Sequence, residues 1–412
     1  MDKSSNNCLC KVAKKCGACQ LSNMDYQRQL AFKQANVVKL LKRYCHVNEI
    51  IGMNEPYHYR NKAQAVVKRT SGGKIITGVY QSSTGGIVAT DDCLLNNQKS
   101  NDIIKFIRSL MTELHIAPFD PKNGKGLVRH IMIRNGYTTG EYMAVIVCID
   151  DKLPKESEFV KRLCDKFPEI KTIVLNINKN HKMMLGSDER ILYGQGYIED
   201  ILCGKRFRIS ARSFYQVNAV QTEILYRTAA DFANLSGNEK ILDAYCGIGT
   251  IGITVSDRAG RIVGVERNGE AVSDAKINAE LNGLSRALYF VEDAADFMRK
   301  AADNSEYFDA VFADPPRAGC SKNFLTSLIK LHPKKIIYIS CEPKTLARDL
   351  HILTNSGYKV EKIQPVDMFP HTRHVETVVL LSAKEPVKVF DTLFSKSWRI
   401  PNAELPTVAE PC

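Results

Sequence analysis

Residues 242–253 read LDAYCGIGTIGI: an apolar run closing on Asp243, a turn holding Gly247 and Gly249, and a β-branched stretch resuming at Thr250. A strand that passes through glycines into a helix brings main chain close to a ligand, because glycine has no Cβ to hold the ligand off. Outward from this stretch the same rhythm repeats. KILDAYC (240–246), RIVGVER (261–267), ALYFVED (287–293), FDAVFAD (308–314) and KIIYISC (335–341) read as strands. Helical stretches near 270–282, 322–331 and 344–356 alternate with them. That βαβ alternation predicts an α/β region, a parallel sheet covered by helices on both faces, from residue 213 onward.

Upstream the texture differs. NKAQAVVKRTSGGKIITGVYQ (61–81), HIMIRNGYTTGEYMAVIVCI (130–149) and TIVLNIN (172–178) are short β-branched runs broken by Gly-Gly and Asn-Gly turns. They predict an antiparallel or mixed sheet, with helices near 99–114 and 156–167. Residues 24–44 have helical spacing, with Leu30, Val37, Leu40 and Leu41 on one face and basic residues opposite. The expected division is residues 1–50, a cysteine-rich region with that helix; 51–212, a central α+β domain; 213–382, the parallel-sheet domain. Residues 383–412, with four prolines, should form a tail.

Composition narrows the function. The 412 residues are 44% hydrophobic and 25% charged, with a formal net charge of +12, which suits a polyanionic partner. No apolar run approaches the length of a membrane span and the N-terminus lacks a signal-peptide core, so a cytoplasmic protein without membrane contact is expected. In that compartment the thirteen cysteines should be packed thiols, metal ligands or nucleophiles rather than disulfides.

The glycine turn belongs to a wider pattern. Glu266 closes the next strand nineteen residues beyond Gly247 (247 to 266), the spacing of an acid that bonds ribose hydroxyls. Asp293 closes the third strand and could accept from an adenine amino group, the lesser alternative for Asp243 or Asp293 being a turn or helix-capping residue. A nicotinamide dehydrogenase is the rival reading, but Gly252 falls inside the helix, and the fourth strand ends in ADPPRAG (313–319). The set resembles the class I S-adenosylmethionine-dependent methyltransferases, with a Rossmann-like domain.

The fifth strand ends on Cys341, in YISCEPKTLARDL (338–350). Packing alone would explain a lone cysteine. Carbon 5 of uracil, however, cannot be methylated unaided: a thiolate must add to carbon 6, and a base must later remove the carbon 5 proton. A candidate base exists in MFPHTRHVETVVLL (368–381), where Glu376 begins the last predicted strand. ADPPRAG, YISCEPKTLARDL and MFPHTRHVETVVLL together resemble the RNA uracil-5-methyltransferase family (the RumA/RlmD/TrmA group) over roughly residues 8–382. The resemblance implies Cys341 as nucleophile and Glu376 as base. Within SFYQVN (213–218) it implies that Gln216 contacts cofactor and uracil, and that Phe214 shapes the base pocket. Tyr245, Gly247, Gly249, Thr250, Glu266, Asp293 and Asp314 are the expected cofactor contacts. His371 and His374 are candidates for supporting or RNA-contacting roles, and packing suffices for Cys246.

Cys10, Cys16 and Cys19 stand at C-x5-C-G-x-C spacing. With one distant partner, best supplied by Cys93 in TDDCLLNNQ, they suit a [4Fe-4S] cluster, with zinc as the competing metal. Cys8 fits less well. The ribosomal branch of the family carries such a cluster, which points to 23S rRNA as substrate rather than tRNA, and to a monomer. The cluster is expected to lie far from the thiol and to order the fold or contact RNA. Many relatives begin with a small RNA-binding (TRAM) β-barrel, for which the cysteine motif leaves no room. RNA affinity should therefore come from the central domain and from Lys33, Lys39, Lys42 and Arg43. DNA cytosine methyltransferases are set aside, because their thiol follows a proline where this chain has Pro315-Pro316. A methyltransferase of exocyclic amines, or a non-catalytic RNA-binding protein, would need neither Cys341 nor Glu376.

Overall fold

The computed structural model describes residues 10–81, 84–180 and 183–384. The expected tail lies almost wholly outside them, as does Cys8. Two helices come first, the four-residue α1 (Ala13–Cys16) and the 16-residue α2 (Tyr26–Leu41), the second capped by Asp25, whose carboxylate accepts from Arg28 N. A seven-stranded sheet follows: β1 (Lys62–Arg69), β2 (Ile75–Tyr80), β3 (Ile87–Ala89), β4 (Val128–Asn135), β5 (Tyr142–Cys148), β6 (Ile170–Ile177) and β7 (Asp188–Tyr193). Its order is β3-β2-β1-β4-β5-β6-β7. All pairs are antiparallel except β5–β6, whose crossover is a helix. Helices α3 (Gln98–Glu113) and α4 (Glu156–Lys166) cover one face, burying Ile103, Ile107, Leu110, Phe159 and Leu163 against Ile131, Ile133 and Ile146.

The opposite face of that sheet is apolar too. Met143, Val145 and Val147 pack with the hairpin β8 (Tyr197–Leu202) and β9 (Lys205–Ser210), in one core continuous with the second half of the chain. There α5 (Ala219–Ala233), β10 (Lys240–Ala244), α6 (Thr250–Thr254), β11 (Arg261–Glu266), α7 (Gly269–Leu281), β12 (Ala287–Val291) and α8 (Ala294–Asp303) are followed by β13 (Ala310–Ala313), α9 (Lys322–Leu331), β14 (Lys335–Ser340), α10 (Pro343–Thr354), β15 (Tyr358–Val366) and β16 (Glu376–Ala383).

The second sheet has the order β12-β11-β10-β13-β14-β16-β15. Strands β10 to β14 pair in parallel, whereas β16 runs antiparallel between β14 and β15. The order reverses direction between β10 and β13, where an open α/β sheet leaves a crevice at its carboxyl edge. Among the described residues no helix is long and apolar enough to cross a membrane.

Candidate active site

Pairing of β14 with β16 sets the first geometric fact. Ser340 is opposite Thr377 in the last rung of the ladder, so Cys341, the next residue, and Glu376, the first residue of β16, lie at the same end of the pair. Past Cys341 the chain turns at once into α10, with Pro343 in its first turn and Glu342 accepting from Lys344 N at 3.2 Å. The thiol is thus left half-buried at the strand's end, while Glu376 is only 4% exposed.

Burial, then the carboxylates of Glu376 and Asp314, push the Cys341 thiol up to about 11, with the Arg317 guanidinium acting the other way. Burial and the neighbouring Asp314 hold Glu376 above the ordinary carboxylate range, and burial raises Asp314 as well. Two acids and a thiol that all resist ionisation form an environment that a bound cation would reverse.

Phe214, Gln216, Tyr245, Gly247, Thr250, Glu266, Asp293, Asp314, Cys341 and Glu376 all line one cavity of about 760 Å³ at the crevice. The acidic residues and the glycine turn fit a cofactor with a positive centre and a ribose. Phe214, 64% exposed, presents a free aromatic face of the kind on which bases stack. Gly249 is the one expected cofactor residue that does not reach the cavity. Its φ is +83°, and a Cβ there would meet Tyr289 Oη and Ile253 Cδ1 at 3.0 Å, so its part is to make the turn. Asp243 supports that turn from beneath: Oδ2 accepts from Gly252 N at 2.8 Å, and burial pushes the acid up to about 7. Asp293 satisfies both readings, since it caps α8 by accepting from Ala295 N at 2.9 Å and also faces the cavity.

Among the further lining residues, the aromatic and charged side chains of Tyr226, Arg267, Arg317 and Phe369 escaped the sequence reading. Arg317 and Phe369 lie inside the motifs quoted for their neighbours. Tyr226 sits on α5, a helix with too little sidedness to register, and its hydroxyl is 3.2 Å from Thr250 Oγ1.

A second cavity, of about 220 Å³, is lined by Cys10, Cys16, Cys19 and Cys93 together with Arg60, Lys62 and His371. Burial, and then the nearby Cys93, push the Cys19 thiol up to about 12; Cys16 and Cys10 add to the effect and Arg60 opposes it. Among the described residues, however, no group of three or more His, Cys, Asp or Glu side chains is placed to hold a metal ion.

Two expectations change here. The cysteine region is not remote from the cavity that holds Cys341 and Glu376: adjacent Gln216 and Val217 face the two cavities, as do Phe369 and His371 of one loop. Nor does Lys33 face RNA. It is 1% exposed and paired with Asp367, because α2 turns Gln29, Lys33, Val37 and Leu41 inward; Lys39, Lys42 and Arg43 remain exposed. His371 is likewise buried, whereas His374 is half-buried with Nε2 3.3 Å from Arg317.

Comparison with known proteins places this arrangement. A family model described as tRNA (Uracil-5-)-methyltransferase matches residues 25–384. An uncharacterized RNA methyltransferase of Halalkalibacterium halodurans is 41% identical over 381 residues, which are 91% of this chain and 83% of that one. A counterpart in Clostridium acetobutylicum is 42% identical over 381 residues, 90% of this chain and 83% of its own. The structure of Pyrococcus abyssi tRNA (uracil-54, C5)-methyltransferase in complex with S-adenosyl-L-homocysteine superposes with a TM-score of 0.74 at 28% identity, covering 88% of this chain and 85% of that one.

Proposed function

This chain belongs to the RNA uracil-5-methyltransferase family, S-adenosylmethionine-dependent enzymes of α/β fold, and from that premise we propose that it forms 5-methyluridine in 23S rRNA through a transient Cys341–uracil bond. The observation that carries the reading is that Cys341 and Glu376, at the same end of the β14–β16 ladder, line one cavity with Glu266, Asp293 and Asp314.

The residues divide the work as follows. Bound S-adenosylmethionine supplies an electrophilic methyl group on a positively charged sulfur, which carbon 5 of the base attacks. Glu266 would hold the ribose and Asp293 the adenine of the cofactor, with Asp314 and Gln216 lining the same cavity. The target uridine leaves its stack to enter the cavity, where Phe214 receives its face. Cys341 sulfur bonds to carbon 6, and the electron pair displaced from the 5,6 double bond makes carbon 5 nucleophilic. After methylation the Glu376 carboxylate takes the carbon 5 proton. That C–H pair restores the double bond and expels the Cys341 thiolate. Arg317, which opposes the rise of the thiol pKa, favours the thiolate at both ends of the cycle.

For the cysteine region we propose that Cys10, Cys16, Cys19 and Cys93 hold a [4Fe-4S] cluster. A single tetrahedral ion draws four sulfurs to about 2.3 Å from itself. Four thiols line one cavity, the observation that supports a cysteine-bound group there; among the described residues no set of them is gathered on one point. We divide the chain at residues 50, 212 and 382 and treat it as a monomer.

A tRNA substrate is the second reading, favoured by the likeness to the Pyrococcus abyssi enzyme. Mass spectrometry of nucleosides from purified 23S rRNA and tRNA, with and without the protein, separates the two. Loss of 5-methyluridine from 23S rRNA alone is expected. Loss from tRNA alone overturns the ribosomal assignment.

A further inference from the structure

The loop at residues 367–375 joins β15 to β16 and so fixes where Glu376 stands. Its anchors are side chains far away in sequence. Asp367 is buried and accepts from Lys33 Nζ at 2.5 Å and from Tyr26 Oη at 2.8 Å. Lys33 also donates to Phe369 O at 3.0 Å. His371 N donates to Gln29 Oε1 at 2.8 Å, and Gln29 Nε2 returns a bond to His371 Nδ1 at 3.2 Å. Because Nδ1 accepts, the imidazole proton lies on Nε2, which donates to Pro56 O at 3.1 Å. The ring stacks on Tyr57 with centroids 4.5 Å apart, and His371 O accepts from Leu21 N at 2.9 Å.

These contacts hold an unfavourable conformation. His371 has φ +69°, the left-handed region that a residue with a Cβ enters at a cost. Such a residue keeps that conformation only where its surroundings over-determine it. Three of the side-chain anchors, Tyr26, Gln29 and Lys33, three and four residues apart, form one inward polar stripe on α2, while Tyr59, Asn218 and Gln221 donate to the carbonyls of Pro370, Met368 and Asp367 from elsewhere. On the other side of the loop, Phe369 and Glu376 both face the catalytic cavity.

We propose that Gln29 is a positioning residue for the proton-removal step: with Lys33, it clamps the strained 367–375 loop so that Phe369 is seated and Glu376 faces Cys341. This rests on the covalent reading given above and goes beyond it, because no residue of α2 touches the reacting atoms. A purely structural role for the stripe is the competing explanation. The two differ in which step fails.

The test uses the full-length protein with substrate RNA carrying tritium at carbon 5 of the target uridine, and with S-adenosylmethionine. Three quantities are read: tritium release, covalent protein–RNA adduct on denaturing gels, and cofactor dissociation constant. Glu376→Gln is the reference, expected to accumulate adduct. Gln29→Met should slow tritium release tenfold or more and accumulate adduct as the reference does, with cofactor affinity within twofold of wild type. Release at the wild-type rate overturns the proposal, as does joint loss of adduct formation and cofactor binding. If Gln29→Met does not fold, the Lys33→Met/Asp367→Asn double variant carries the same expectation. Failure of both to fold makes the stripe a folding element and also overturns the proposal. If Glu376→Gln gives no adduct while Cys341→Ala still methylates, the covalent reading itself has failed and the positioning role falls with it.

Discussion

Removing one half of the Lys33–Asp367 pair should be far more damaging than removing both. The two charges are fully buried and 2.5 Å apart. At an effective dielectric constant of about 20 their attraction is about 7 kcal/mol. Desolvating each ion costs several kcal/mol, so the intact pair adds little net stability compared with neutral residues of similar size. Lys33→Met leaves the Asp367 carboxylate buried with only the Tyr26 hydroxyl beside it, and also deprives Phe369 O of its donor. A loss of about 3–5 kcal/mol is expected. Adding Asp367→Asn removes the stranded charge while keeping an acceptor for Tyr26, and should bring the double variant to within about 2 kcal/mol of wild type. Urea denaturation of the three proteins, followed by fluorescence and circular dichroism, gives these differences at equal slope. A single variant within about 1 kcal/mol of wild type, or a double variant no better than the single, would refute the idea that Lys33 is there to neutralise Asp367.

Other consequences are as direct. Cys341→Ala should abolish methylation of RNA, followed by radiolabelled methyl transfer, while cofactor affinity changes less than about threefold; retained turnover excludes the thiol as nucleophile. Asp243, Asp314 and Glu376 all favour their neutral forms in the folded protein, Asp243 up to about 7. That preference stabilises the ligand-free protein below the ordinary carboxylate range and is lost as pH rises through the raised values. Melting temperature should therefore fall between about pH 5 and 8, while calorimetric affinity for cationic S-adenosylmethionine rises more steeply than for the uncharged sulfur of S-adenosylhomocysteine. Equal pH slopes for the two ligands would contradict this. Gly249→Ala, at φ +83° and 3.0 Å from Tyr289, should cost at least about 1–2 kcal/mol by thermal melting; an unchanged melting temperature would show that the turn relaxes freely. Cys19→Ser should lose bound iron and sulfide by elemental analysis, and a wild-type protein that carries zinc and no iron would replace the cluster with a single-ion site.

Much of the parallel-sheet region was legible because its strands are continuous apolar runs that end in acids or glycine turns. Helix α9 coincides with its expected span, and Glu376 does begin the final strand of the sheet. Helices α5 and α8 and strands β3, β7, β8 and β9 were not anticipated. The segment AVQTEILYRTAADFA of α5 buries residues on most of its circumference, which erases the period that marks an amphipathic helix. Strand β7 is mostly exposed, so its sequence alternates weakly. Lys33 was misread for a different reason. A lysine at helical spacing reads as a solvated charge, and only a carboxylate 334 residues downstream makes it an interior residue. The convergence of the candidate site depends on sheet register, and one sequence supplies the motifs without the register.

The last strand of the second sheet lies inside that sheet. Because β16 slots between β14 and β15, a nascent chain released only to about residue 370 presents two open strand edges with a gap between them. During synthesis, then, Glu376 and the closing rungs of the ladder arrive together, after the strands on either side of them. Chains cut short before residue 383 should be not merely inactive but sticky, and chaperone dependence should be concentrated in that final interval.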